Sequence, residues 1–142
     1  MKVLANDGIS QSGVDALKAN GFEVITTNVA QEQLISYINE NEITVLLVRS
    51  ATTARKDLVD SCPSLKIIGR GGVGMDNIDV EYAREKGLKV INTPASSSAS
   101  VAELVFAHLY GGVRFLYDSN RNMPLEGELN FKGLKKAYAK GI

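Results

Sequence analysis

The sequence predicts a doubly wound α/β fold, and three observations predict it. Short apolar runs alternate with helical patterns from the first residues to about Pro94. The runs are rich in Val, Ile and Leu with little in–out alternation, as strands buried on both faces require. Five such units within 142 residues make one parallel sheet flanked by helices on both faces.

The predicted strands are residues 2–6, 22–26, 44–49, 65–69 and 89–92. Helix 10–20 sets Val14 and Leu17 on one side and stops at Gly21. Helix 30–41 carries Leu34, Ile35 and Ile38 at helical spacing. Helix 55–61 is short and stops near Pro63. Helix 77–86 starts after a cap at Asp76 and stops at Gly87. Right-handed crossovers between parallel strands then favour a flavodoxin-like order.

Pro94 and the run Ser96-Ser97-Ser98 close this unit, which divides the chain into 1–96 and 97–142. A long helix is expected over 99–117, with Val101, Leu104, Val105, His108, Leu109, Val113 and Leu116 on one face. Phe106, Tyr110, Phe115 and Tyr117 lie off that face. A helix apolar nearly all round needs cover nearly all round. Two readings stand: burial against another domain or subunit, or a final helix packed on its own sheet with some aromatics exposed. After Asp118 the pattern dissolves into turn-formers, so an extended C-terminal arm is expected, with a helix restarting near 134–140. From Arg114 onward six basic residues face three acidic ones, with Phe131, Leu134 and Tyr138 interleaved. That composition reads either as a solvated tail or as an assembly element.

Lys plus Arg number 16 and Asp plus Glu 16, so neither nucleic acid nor an anionic membrane is an expected partner. Cys62 is the only cysteine, which excludes an intrachain disulfide. The N-terminus lacks the pattern of a signal peptide. Glu103, His108 and Arg114 interrupt the longest apolar stretch and argue against a membrane span. The expected compartment is the cytoplasm. No metal set and no catalytic set is assigned; His108, the single histidine, reads as a hydrogen-bonded core residue.

Gly69-Arg70-Gly71-Gly72-Val73-Gly74 fits G-x-G-x-x-G between a strand and a helix. A dinucleotide site also needs an acidic residue about 20 positions on, at the end of the next strand. That strand ends in Asn92-Thr93-Pro94, and Met75-Asp76-Asn77 delays the helix. Three readings remain: a nucleotide loop, a tight turn that needs glycine geometry, or a loop whose N–H groups cradle a small anion. Arg49 follows Val45-Leu46-Leu47-Val48 at the same edge. It is either snorkelling into solvent or meeting a carboxylate or phosphate. With Arg70 it makes a second cation beside the loop, which points to an anionic ligand.

Gly71 to Asp79 (GGVGMDNID) resembles the glycine-loop signature of D-2-hydroxyacid dehydrogenases. Asn92-Thr93-Pro94, then Ser100-Val101-Ala102-Glu103, is similar to that family's entry into its second domain. Val48-Arg49-Ser50-Ala51-Thr52 and Ile68-Gly69-Arg70 are similar to its phosphoglycerate dehydrogenase branch. The resemblance implies an NAD-dependent oxidoreductase that turns D-3-phosphoglycerate into 3-phosphohydroxypyruvate in serine biosynthesis. It implies that 1–96 binds substrate and that 97–142 is a crossover helix and assembly arm leading to an NAD-binding domain absent from this chain. Arg49, Ser50 and the N–H groups of Gly71, Gly72 and Val73 would hold a small anionic substrate, and Arg70 would lie towards its phosphate. Ser97 would sit near the cofactor, where some relatives carry Asn. The resemblance further implies a homodimer, with Lys132, Lys135 or Lys136 approaching the partner's phosphate, and no turnover by the 142 residues alone.

Other classes fit less well. A receiver domain needs Asp at the end of the third strand, where Arg49 stands, and Lys after the fifth, where Asn92-Thr93 stands. A flavodoxin needs a hydroxyl-rich phosphate loop after the first strand, and Asn6-Asp7-Gly8-Ile9-Ser10 is a poor one. A standalone ligand-binding or assembly protein derived from the same domain stays open.

Overall fold

The computed structural model describes residues 1–141, with side chains described outside 125–129. The chain folds as two compact units, the first Met1–Ser96 and the second beginning at Ser97.

The first unit is a five-stranded sheet of order β2-β1-β3-β4-β5, parallel throughout. Its strands are β1 (Lys2–Ala5), β2 (Glu23–Ile25), β3 (Val45–Val48), β4 (Ile67–Arg70) and β5 (Lys89–Asn92). The helices are α1 (Gln11–Ala19), α2 (Gln31–Glu40), α3 (Lys56–Ser61) and α4 (Val80–Glu85). The predicted doubly wound sheet is therefore the one that forms.

Register explains the core. Leu4, Leu46, Ile68 and Val90 stand opposite one another in one transverse row. All four belong to a buried cluster with Leu34 and Ile38 of α2, Leu58 and Val59 of α3, and Ala83 of α4. Leu34 and Ile38 are four residues apart, so one helical face delivers both. The next row, Ala5, Leu47, Gly69 and Ile91, points to the opposite face. Leu47, Gly69 and Ile91 line a groove with Gly13 and Leu17 of α1, which places α1 on that side.

Local signals act where expected. Ser10 caps α1, its Oγ accepting the Gly13 N–H at 3.2 Å. Gly21 and Gly87 take positive φ after α1 and α4. Several boundaries shift by one or two residues, with β4 at Ile67–Arg70 in place of 65–69, and the largest difference is at the start of α4. α4 starts at Val80, not Asn77, and Asp76 is not its cap. A turn at Asp76 and Asn77, followed by a parallel bridge between Ala54 and Ile78, holds these residues outside the helix. Asp79, at the N-cap position, gives its carboxylate to the neighbouring helix instead. It accepts from the Lys56 N–H at 3.0 Å and pairs with Arg55 at 3.0 Å.

The second unit departs from expectation. The single helix expected over 99–117 ends at Val113 as α5 (Ser98–Val113), and no extended arm follows among the described residues. A second helix, α6 (Leu116–Ala139), takes its place, with a break at Asn130. Gly111 and Gly112 weaken the end of α5, and Phe115 at φ 53° turns the chain back. The two helices then close on each other. Phe115 packs on Tyr138 with ring centroids 6.2 Å apart, and Arg114 donates to the Ala139 carbonyl at 3.1 Å. Turn-forming composition after Asp118 hides this pairing, and the helix runs through Pro124 despite the missing N–H. His108 is exposed on α5, not a core residue.

Candidate functional site

Parallel strands end together, so their following loops gather at one edge. Here Val48, Arg70 and Asn92 stand opposite one another as the last row of β3, β4 and β5. A groove of about 820 Å3 opens there, its polar end lined by Asp7, Arg49, Arg70, Gly71, Asn92 and Thr93.

Arg49 follows the last residue of β3. Its side chain is exposed, and among the described residues no carboxylate pairs with it. Ser50 beside it is also exposed. The glycine loop runs beside it: a Cβ at Gly71 would stand in ordinary contact, 3.6 Å from Arg49 Cγ. The two predicted arginines thus lie at one edge, but in different states. Arg70 is turned back into its own loop, bonded through Nη1 to the Gly74 carbonyl and to Asp76 Oδ1. Its side chain is 14% exposed while that of Asp76 is 91% exposed.

The glycine loop offers fewer free donors than the sequence suggests. Gly71 N–H bonds to the Val48 carbonyl at 2.9 Å and Gly72 N–H to the Arg70 carbonyl at 3.0 Å. Val73, 52% exposed, has no acceptor for its N–H among the described residues. The loop is braced from β5, with Asn92 Nδ2 donating to the Val73 carbonyl at 2.7 Å and Thr93 N–H to the Gly72 carbonyl at 3.1 Å.

Sequence reasoning missed the residues beneath Arg49. Asp7 Oδ2 accepts from the Arg49 N–H at 2.6 Å and the Thr52 N–H at 3.1 Å, while Oδ1 accepts from the Thr52 hydroxyl. Burial pushes the Asp7 carboxyl up, but the Thr52 hydroxyl and the N–H groups of Arg49, Thr52 and Ala51 outweigh it and hold it below its usual range. Asn6 is buried and ties Thr52 to Val29. Asn77, also buried, donates from Nδ2 to the carbonyls of Arg49 at 2.8 Å and Thr52 at 2.6 Å. The available signal was Asn6-Asp7-Gly8 at the end of β1, a turn-former set at the ligand edge of the sheet.

The loop does not fit a dinucleotide. After Gly71 no helix begins before Val80, so no helix N-terminus faces the loop. β5 ends in Asn92, whose amide is spent on Val73, and the Arg70 side chain occupies the loop's own turn. Ser97 lies in the second unit at the N-cap position of α5, where its side chain makes no capping bond.

A sequence model of the D-isomer specific 2-hydroxyacid dehydrogenase catalytic domain matches residues 3–137. The chain belongs to this family. It is 36% identical over 138 residues to a D-3-phosphoglycerate dehydrogenase of Methanocaldococcus jannaschii, covering 95% of this chain and 26% of that protein. It is 37% identical over 135 residues to a hydroxypyruvate reductase of Thermotoga maritima, covering 94% and 43%. Among solved structures, an NAD+-bound 3-phosphoglycerate dehydrogenase of Entamoeba histolytica matches with a TM-score of 0.64 at 29% identity, over 80% of this chain and 39% of that one. This dehydrogenase-family chain thus spans between about a quarter and under half of the relatives it matches. Among the described residues no helix is long and apolar enough to cross a membrane.

Proposed function

We propose that the chain is the substrate-binding portion of a longer NAD-dependent D-2-hydroxyacid dehydrogenase, and that its substrate is D-3-phosphoglycerate. Oxidation at C2 gives 3-phosphohydroxypyruvate and NADH, a step towards serine. The observation that carries this reading is Arg49, an exposed guanidinium at the mouth of a buried strand, with no carboxylate partner among the described residues. Its planar fork suits the substrate carboxylate. Ser50 and the Val73 N–H add donors, and Gly71 and Gly72 line the approach without side chains. Arg70, once released from Asp76, adds charge towards the phosphate. NAD is bound mainly by a domain outside these residues, with Ser97 as the contact from this chain. The 142 residues alone do not turn over. A second copy of the chain covers α5, which exposes Val101, Leu104, Val105, Phe106 and Leu109. The assembly is a cytoplasmic homodimer.

The test is NADH formation from D-3-phosphoglycerate, set against NADH oxidation by hydroxypyruvate. Both are run on protein from the whole coding frame and on the 142-residue chain. Turnover of the phosphorylated acid by the whole protein alone is expected. Turnover of hydroxypyruvate only would move the substrate assignment. Ligand binding with no turnover by the whole protein would favour a standalone binding protein.

A further inference from the structure

We infer that Asp7 and Asn77 are positioning residues of the anion site, a two-sided clamp that holds the Arg49–Thr52 turn in one geometry. The inference rests on the proposed function only in taking Arg49 as the anion ligand.

The clamp is defined by which atoms it uses. Asp7 takes the N–H groups of Arg49 and Thr52. Asn77 takes the carbonyls of the same two residues with one amide nitrogen. Each end of the turn is thus held at both polar groups, by side chains from two different loops. The Thr52 hydroxyl accepts from Asn6 Nδ2 at 2.8 Å, so its own proton is directed to Asp7. Beyond the turn Gln31 holds Thr53 at both N–H and carbonyl, each at 3.0 Å. The Ala54 N–H bonds to the Asn77 carbonyl at 2.9 Å. Only the outer edge of the turn is presented to solvent: Arg49, Ser50 and Ala51 are exposed, while Thr52 is 4% and Asn77 is 6% exposed.

Two physical points make this a functional device rather than ordinary turn bonding. A carboxylate next to an anion site is repulsive unless its charge is spent, and Asp7 spends both oxygens on donors within the turn. A guanidinium on a long side chain loses less freedom on binding if its backbone is already ordered. Neither Asp7 nor Asn77 has to touch the ligand.

The test separates the turn from the ligand. Amide exchange of Arg49 and Thr52 is followed in the 15N-labelled 142-residue chain, without ligand, in wild type, Asp7→Asn, Thr52→Val and Thr52→Ser. Affinities for D-3-phosphoglycerate and for D-glycerate, which keeps the carboxylate and lacks the phosphate, are then measured on the same proteins. Asp7→Asn and Thr52→Val are expected to speed exchange of both amides at least about tenfold and to weaken both acids about equally, by roughly tenfold. Leu46 and Ile68 amides stay protected, which shows an intact sheet, and Thr52→Ser restores both readouts. Faster exchange with unchanged affinity overturns the inference, because order in the turn then does not matter. Weaker binding with unchanged exchange also overturns it, because Asp7 then acts on the ligand directly. Wild-type protein that takes neither acid overturns the proposed function and the inference with it, whereas a failure of the clamp alone leaves wild-type binding intact.

Discussion

The Asp7 carboxylate takes the main-chain N–H of Arg49 at 2.6 Å and leaves its guanidinium to face solvent. At the end of the neighbouring strand β4 the opposite choice is made, where Asp76 pairs with the Arg70 guanidinium at 3.0 Å. One arginine of the edge is therefore ready for an external anion, and the other must first give up an internal one. The difference follows from reach. Asp7 sits on the turn from β1, under the backbone of the Arg49 turn, whereas Asp76 lies on the same loop as Arg70 and meets its side chain.

Arg49→Ala should weaken substrate binding by roughly 2–5 kcal/mol, the range for breaking a desolvated charge pair. Because the side chain is exposed in the free chain, unfolding stability should change by less than about 0.5 kcal/mol. Calorimetric titration and urea unfolding of the same preparation check both. Unchanged affinity would remove Arg49 from the site.

Asp76→Ala should leave Arg70 held only by the Gly74 carbonyl and raise affinity for a phosphorylated acid several-fold, with little change for the unphosphorylated one. Asp76 is 91% exposed, so its pairing is screened and the fold should tolerate the loss. Parallel titrations with D-3-phosphoglycerate and D-glycerate give the ratio. Equal changes for both acids would mean that Arg70 does not select phosphate.

Asp7 is held below its usual carboxylate range, which sets the sign of a pH effect. A depressed folded-state value contributes stability that is present above the unfolded value of about 3.9 and is lost as pH falls through the folded one. Wild type should therefore melt above Asp7→Asn at neutral pH, and the gap should narrow as pH falls below the unfolded value. Thermal unfolding across that range, read by circular dichroism, reports it. A gap independent of pH would mean that packing, not ionisation, matters at this position.

Cys62 is 1% exposed, and its thiol is pushed up to about 11, first by burial and then by the negative charge of Asp57. The thiolate is the reactive form, so native protein at pH 8 should resist iodoacetamide and react only after denaturation. Mass spectrometry of the modified peptide over time tests this. Rapid native labelling would show that α3 opens readily.

The strands, the helices between them and the edge that carries Arg49 and the glycine loop were legible in the sequence. They are written in local terms: runs of Val, Ile and Leu of strand length, 3.6-residue spacing, and Gly21 and Gly87 as stops. The family signature was legible for the same reason, because Gly71 to Asp79 is one contiguous segment. What the sequence alone could not decide depends on atoms far apart along the chain. Asp7 and Asn77 lie 42 and 28 positions from Arg49 and meet at its backbone only because β1, β3 and β4 pair in register. The fate of Arg70 needed the side-chain path back to Gly74 and Asp76. The helix pair α5 and α6 needed the left-handed turn at Phe115 and the closure of Phe115 on Tyr138, which composition read as an extended arm. Periodicity and turn residues thus determined the architecture, since each acts over a few neighbours. Hydrogen-bond partners and side-chain direction were settled by tertiary structure, since a donor takes the acceptor that folding brings within about 3 Å.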